Sequence, residues 1–193
     1  MEKEEIDIFY PANAAEWRNW MEKNHISKRA VWLKFYTKAS GKDSLTWSEA
    51  VDVALCFGWI DSKKIKIDQE TSHQFFSKRK AISTWSKINK EKVEALISTG
   101  LMAPAGYQSI ETAKQNGSWT ILDDVEALKT PEDLQAKFEN NPDAEAFFLS
   151  LSKSTRKAIF QWLVLARLPE TRQRRICEIV ELAAQKKKPK HMQ

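Results

Sequence analysis

A change of hydrophobic period at Gly58 constrains this chain more than any other feature. Before it, Thr46-x-x-Glu49 has the pattern of a capping box, and Trp47, Ala50, Val51, Ala54 and Leu55 recur at helical spacing. After it, the period becomes two: Ile60 to Ile67 reads as one strand, Asp68-Gln69-Glu70 as a turn, and Ser72 to Ser77 as the returning strand of a hairpin. Gly58 stands where a helix needs a left-handed residue to stop. The junction therefore delivers Trp59, Asp61 and Ser62 together at the beginning of a strand.

Upstream, Asn13 and Glu16 mark a helix start, Trp17, Trp20 and Met21 share its face, and it ends near Asn24. Val31-Trp32-Leu33-Lys34-Phe35-Tyr36 is β-branched and aromatic and reads as a strand. Beyond residue 83 only helical periods remain. Asn89, Val93, Leu96 and Ile97 lead to Gly100, and Pro104 opens a helix that stops at Asn116-Gly117. Thr130-Pro131 and Asn141-Pro142 look like N-cap and first-turn pairs, Ser154 like a cap, and Pro169 like the start of a last helix; residues 118–129 show no period. The expectation is an α+β fold, with an α+β unit over 1–82 (helix, strand, helix, β-hairpin) and an all-helical unit over 83–193 ending in a basic tail.

Composition narrows function mainly by exclusion. Five glycines in 193 residues leave no phosphate-cradling loop, and His25, His73 and His191 have no metal-ligand spacing with each other or with Cys56 and Cys177. No cofactor and no metal are expected. Both cysteines fall on apolar helical faces, which fits buried thiols in a reducing compartment. Met1 to Glu5 is acidic and lacks an apolar signal core, and the longest apolar run, Ala158 to Ala166, is too short to span a bilayer. A soluble cytoplasmic protein is expected.

Residues 150–193 carry eleven Lys and Arg against three Glu, a charge of +8, so the preceding residues carry −3. Such asymmetry can mark a polyanion-binding face, but a solvated helix with a basic tail, Lys186 to Lys190, explains it as well. Nucleic acid is accordingly not expected beyond weak, non-specific contact. Arg172, Arg174 and Arg175 sit at the wrong end of their helix for its dipole, so a carboxylate such as Glu170 is expected to compensate.

A candidate ligand site combines Trp59, Asp61 and Ser62 with a second cluster, Ser83-x-Trp85-Ser86-x-x-Asn89, at the start of the next helix, and with Arg79 as a further lining residue. If Ile65 and Ile67 face the core, strand alternation turns Asp61 the same way. It is then expected to be partly buried and bonded to a group between Arg79 and Asn89. Three functions compete: a non-enzymatic protein binding a small polar ligand or an acidic peptide, an enzyme using Asp61 as general base, and a basic nucleic-acid module built from the C-terminal helices. Oligomeric state stays open.

Several ordered segments resemble the YdeI or OmpD-associated family, also labelled bacteriocin-protection proteins. They run from Trp17-x-x-Trp20 through Ala54-Leu55-Cys56-Phe57-Gly58-Trp59-Ile60-Asp61-Ser62, Trp85 to Asn89 and Pro104-Ala105-Gly106 to Glu170-Thr171-Arg172-x-x-Arg175-Ile176. Phe76-Ser77-Lys78-Arg79 departs from the family's usual Phe-x-Pro-Arg. The resemblance implies a cytoplasmic bacterial protein concerned with resistance to antimicrobial peptides or with envelope stress, and it brings no catalytic residues with it.

Overall fold

The computed structural model describes residues 6–192, so the acidic start from Met1 to Glu5 lies outside it. The described chain is α+β and forms two compact units, divided after Trp119.

In the first unit, β1 (Ile8–Phe9), β2 (Ala30–Tyr36), β3 (Trp59–Lys66) and β4 (Thr71–Lys78) form one sheet in the order β1-β2-β4-β3. β2 pairs antiparallel with β4, and β3 and β4 form the hairpin. The turn holds because Asp68 accepts from the Glu70 and Thr71 amides and from the Thr71 hydroxyl. Helix α1 (Ala14–Asn24) starts where the Asn13 side chain accepts from the Glu16 amide. Helix α2 (Trp47–Cys56) has both halves of its capping box, Glu49 bonding the Thr46 amide and Thr46 bonding the Glu49 amide.

Val31, Leu33 and Phe35 of β2 join Trp59 and Phe76 in a core with Trp17, Met21 and the apolar stripe of α2. Two further helices, α3 (Lys87–Ser98) and α4 (Pro104–Gln115), contribute Val93, Ile110 and Ala113 to that same core. Compactness therefore changes at 119/120, although strands end at Lys78 among the described residues. The cause is close packing of α4 against the end of α2. Ala103 N–H bonds the Cys56 carbonyl at 3.1 Å, and a Cβ added to Gly106 would stand 2.3 Å from that oxygen. Gly58 has φ +69°, and its own added Cβ would meet the Ala105 carbonyl at 2.9 Å. It is thus required both as a left-handed stop and as a point of close approach.

The second unit is helical: α5 (Asp123–Glu126), α6 (Glu132–Glu139), α7 (Pro142–Ser150), α8 (Lys153–Val164) and α9 (Pro169–Ala184). Short α5 occupies the stretch that carried no period. Two helix starts differ from expectation: Pro131 itself takes the N-cap position of α6, and Ser152 rather than Ser154 caps α8 by accepting from the Thr155 amide. Phe138, Phe148 and Phe160 form a continuous aromatic run in the core, with ring centroids 5.2 and 5.4 Å apart. The arginines of α9 find their acceptors outside their own helix. Arg172 makes a two-pronged pair with Asp133, at 2.5 and 2.9 Å, and reaches the Leu163 carbonyl; Arg175 donates to the Trp162 carbonyl. Asp133, not Glu170, is the compensating carboxylate, and the Trp162 and Leu163 carbonyls at the end of α8 supply the rest.

Candidate functional site

Of the seven candidate residues, Trp59 goes deepest. It is fully buried, edge-on to Trp20 with centroids 5.9 Å apart, and its indole N–H has no acceptor. Trp17, in the same core, bonds the Ala50 carbonyl at 3.0 Å. A buried donor left without a partner costs about 1–3 kcal/mol, so Trp59 is held by packing against that cost.

Asp61 is half-buried, but its bonds differ from expectation. Oδ2 accepts from Trp47 Nε1 at 2.9 Å and from Gln74 Nε2 at 3.1 Å, and Gln74 also bonds the Ser62 carbonyl. No bond runs from Asp61 to the segment Arg79 to Asn89. The reason is a β-bulge: Asp61 stands opposite Phe76 but Lys64 opposite Gln74, so β3 has one residue more than β4 between them. An extra residue inverts alternation. Ile65 and Ile67 consequently leave the face that Asp61 shares and are 40% and 50% exposed. Ser62 is exposed at the bulge. With indole and amide donors on one oxygen, Asp61 is arranged as an acceptor that ties α2 to the hairpin.

Arg79 and Trp85 are in contact. The Arg79 guanidinium lies 3.7 Å from the Trp85 ring centroid, and its Nη2 donates to the Thr84 carbonyl at 2.6 Å. Its Nε and Nη1 are buried with no acceptor. Burial pushes this guanidinium down to about 10, against the raising influence of the Asp61 carboxylate. Trp85 is almost wholly buried and also packs on Trp119, at 4.9 Å between centroids. Ser86 caps α3 by accepting from the Asn89 amide, so those two residues serve the helix start.

The structure therefore gathers Arg79 with Trp85, gives Asp61 to Trp47 and Gln74, and sends Trp59 into the core. Trp47 and Gln74 are the neighbours of Asp61 that the sequence hid. Trp47 reads as part of the apolar stripe of α2, yet it stands at the first helical position and is 52% exposed. Gln74 shares strand parity with buried Phe76, the one available signal that a polar group enters that face. None of the seven residues lines the 330 Å³ apolar cavity of this unit, which is walled by Ala14, Ala15, Val53, Cys56, Leu96 and Leu101 with Arg18, Glu49 and Asp52. Burial raises the Cys56 thiol there and keeps it protonated. The second unit has a 430 Å³ cavity beside the Arg172–Asp133 pair. Among the described residues, no group of three His, Cys, Asp or Glu is placed to hold a metal ion, and no helix is long and apolar enough to cross a membrane.

No curated protein and no solved structure matches the chain. Two families do. Residues 127–186 match the family described as Bacteriocin-protection, YdeI or OmpD-Associated, so of the resembling segments only the Glu170 to Ile176 motif falls within that match. Residues 9–109, which include Asp61, Arg79 and Trp85, match the family described as Domain of unknown function (DUF8412). Since that match spans just over half of the sequence, the chain belongs to the DUF8412 family, and its C-terminal part carries the YdeI or OmpD-associated region.

Proposed function

We propose that this is a non-catalytic binding protein whose ligand, a small polar molecule or an acidic peptide segment, presents an anionic group to Arg79. One observation carries the reading: a buried guanidinium stacked on Trp85 keeps two N–H groups without acceptors. A buried cation in that state is costly unless a counter-charge arrives. The planar fork of N–H donors matches carboxylate or phosphate oxygens. Both nitrogens are shielded in the free chain, so binding requires movement of segment 79–86, which is neither helix nor strand.

The role proposed with this reading is tolerance of antimicrobial peptides or envelope stress from the cytoplasm; what supports the role is the name of the family matched over 127–186, and that match carries no information on location. The direct test is thermal unfolding of wild type and Arg79→Met with inorganic phosphate and with a glutamate-rich peptide. At a hundredfold excess over Kd, a bound anion stabilises the wild type by about 2.7 kcal/mol. The variant should show no such shift. Equal shifts in both proteins, or none in either, overturn the site. Separately, a deletion strain complemented with wild type should regain resistance to a cationic antimicrobial peptide, and one complemented with Arg79→Met should not.

A further inference from the structure

The sheet packs one face on helices, and the aromatic residues of its other face, Trp32, Phe75 and Tyr36, do not belong to the core of the first unit. Along β2, Val31, Leu33 and Phe35 turn inward while Trp32, Lys34 and Tyr36 alternate outward and remain only half-buried. Cross-strand register sets Trp32 opposite Phe75, and the two rings meet edge-on at 4.9 Å. The bulge in β3 brings Lys63 over this pair, its ammonium 5.1 Å from the Trp32 centroid and 5.7 Å from that of Phe75. Lys34 and Lys42 lie over Tyr36 at 4.7 and 4.5 Å. Asp68, which attracts Lys34, has its carboxylate engaged by three donors of the hairpin turn.

Rings spread over about 13 Å of strand from Trp32 to Tyr36, with a lysine at each end, suit an anionic chain that carries planar groups. We propose that this open face binds single-stranded nucleic acid, with bases stacking on Trp32, Phe75 and Tyr36 and phosphates drawing Lys34, Lys42 and Lys63 off the rings. Aromatic platforms on a sheet rimmed by cations are a general solution to that recognition problem. The surface lies on the sheet, not in the C-terminal helices where the sequence concentrates its charge, and it revises the expectation of non-specific contact through the tail.

The test is fluorescence anisotropy on the full chain, using labelled dT and rU 12-mers and a DNA duplex at several salt concentrations. Binding to at least one single strand should be tighter than to duplex, and three phosphate contacts give a slope of log K against log salt of about −2. Preference for dT or for rU then identifies DNA or RNA as the source. Phe75→Ala should weaken binding about tenfold. Lys34→Ala/Lys63→Ala, which removes only solvent-side groups and keeps the fold, should weaken it and bring the slope to about −0.7. Replacing Lys186, Lys187 and Lys188 together with alanine should change little. The proposal is overturned by no binding to either single strand, by equal affinity for duplex, or by loss of binding in the tail variant with the sheet variants unaffected.

Discussion

The first unit buries three whole tryptophans, Trp17, Trp59 and Trp85, and leaves Trp59 Nε1 and two nitrogens of Arg79 without acceptors. In the second, helices α5 to α9 enclose Phe138, Phe148 and Phe160, and Arg172 and Arg175 both reach carbonyls at the end of α8. Only Arg156 Nε is a comparable orphan there among the described residues. Helix ends expose carbonyls that a neighbouring arginine can bond, whereas a paired strand has already committed its carbonyls to the ladder. Polar strain thus gathers beside the sheet, and with it the candidate ligand site.

Independence of the two cores can be broken most severely at Phe148. Phe148→Ala should cost about 3–5 kcal/mol and unfold the second unit first. Seven of the eight tryptophans lie in the first unit, so tryptophan fluorescence should then change at higher denaturant than far-UV circular dichroism. Coincident transitions would show that the units unfold as one. Next, Gly106→Ala forces a methyl against the Cys56 backbone and should destabilise the first unit by about 3 kcal/mol. Gly100→Ala meets nothing within 4 Å and has only its φ of +70° to oppose it, at about 1 kcal/mol. Similar losses in the two variants would refute the close α2–α4 approach.

The ion pair of the second unit should matter less because it is partly solvated, with side-chain exposures of 30% and 41%. Arg172→Met is expected to cost about 1 kcal/mol. Arg172 holds the Asp133 carboxyl below its ordinary value. A depressed folded value means the contribution is complete above about pH 4, the unfolded aspartate range, and disappears as pH falls through the folded value. Stability curves of wild type and Arg172→Met should therefore converge in acid; a constant gap down to pH 2 would show that packing, not charge, is lost. The smallest effect is expected at Asp61→Asn, which keeps an oxygen facing Trp47 and Gln74: about 0.5–1 kcal/mol by urea unfolding. A loss several times larger would mean that Arg79 depends on the charge directly.

Local signals were legible wherever the interaction spans a few residues. The N-cap at Asn13, the capping box at Thr46, the glycine stop at Gly58, the Asp68 turn and the proline starts at Pro104, Pro142 and Pro169 all have their partners within a turn of chain. Arg79 and Trp85 were both singled out in the sequence, but the stacking of one on the other is visible only in the structure. The partners of Asp61 were not legible, since Trp47 and Gln74 lie fourteen and thirteen residues away.

By itself, then, the sequence determined the order of the longer helices and strands, though not short β1 or α5, together with the hairpin, the α+β class and the family likeness of the C-terminal region. Tertiary structure decided the bulge that turns Ile65 outward, the capture of Asp61 by α2, the membership of α3 and α4 in the first core, and the isolation of the Arg79 donors. A bulge adds one residue to one strand without changing its composition, and it is specified only by the register of the partner strand. Long-range register and helix docking depend on which surfaces fit once elements meet, and periodicity within one element carries no record of that fit.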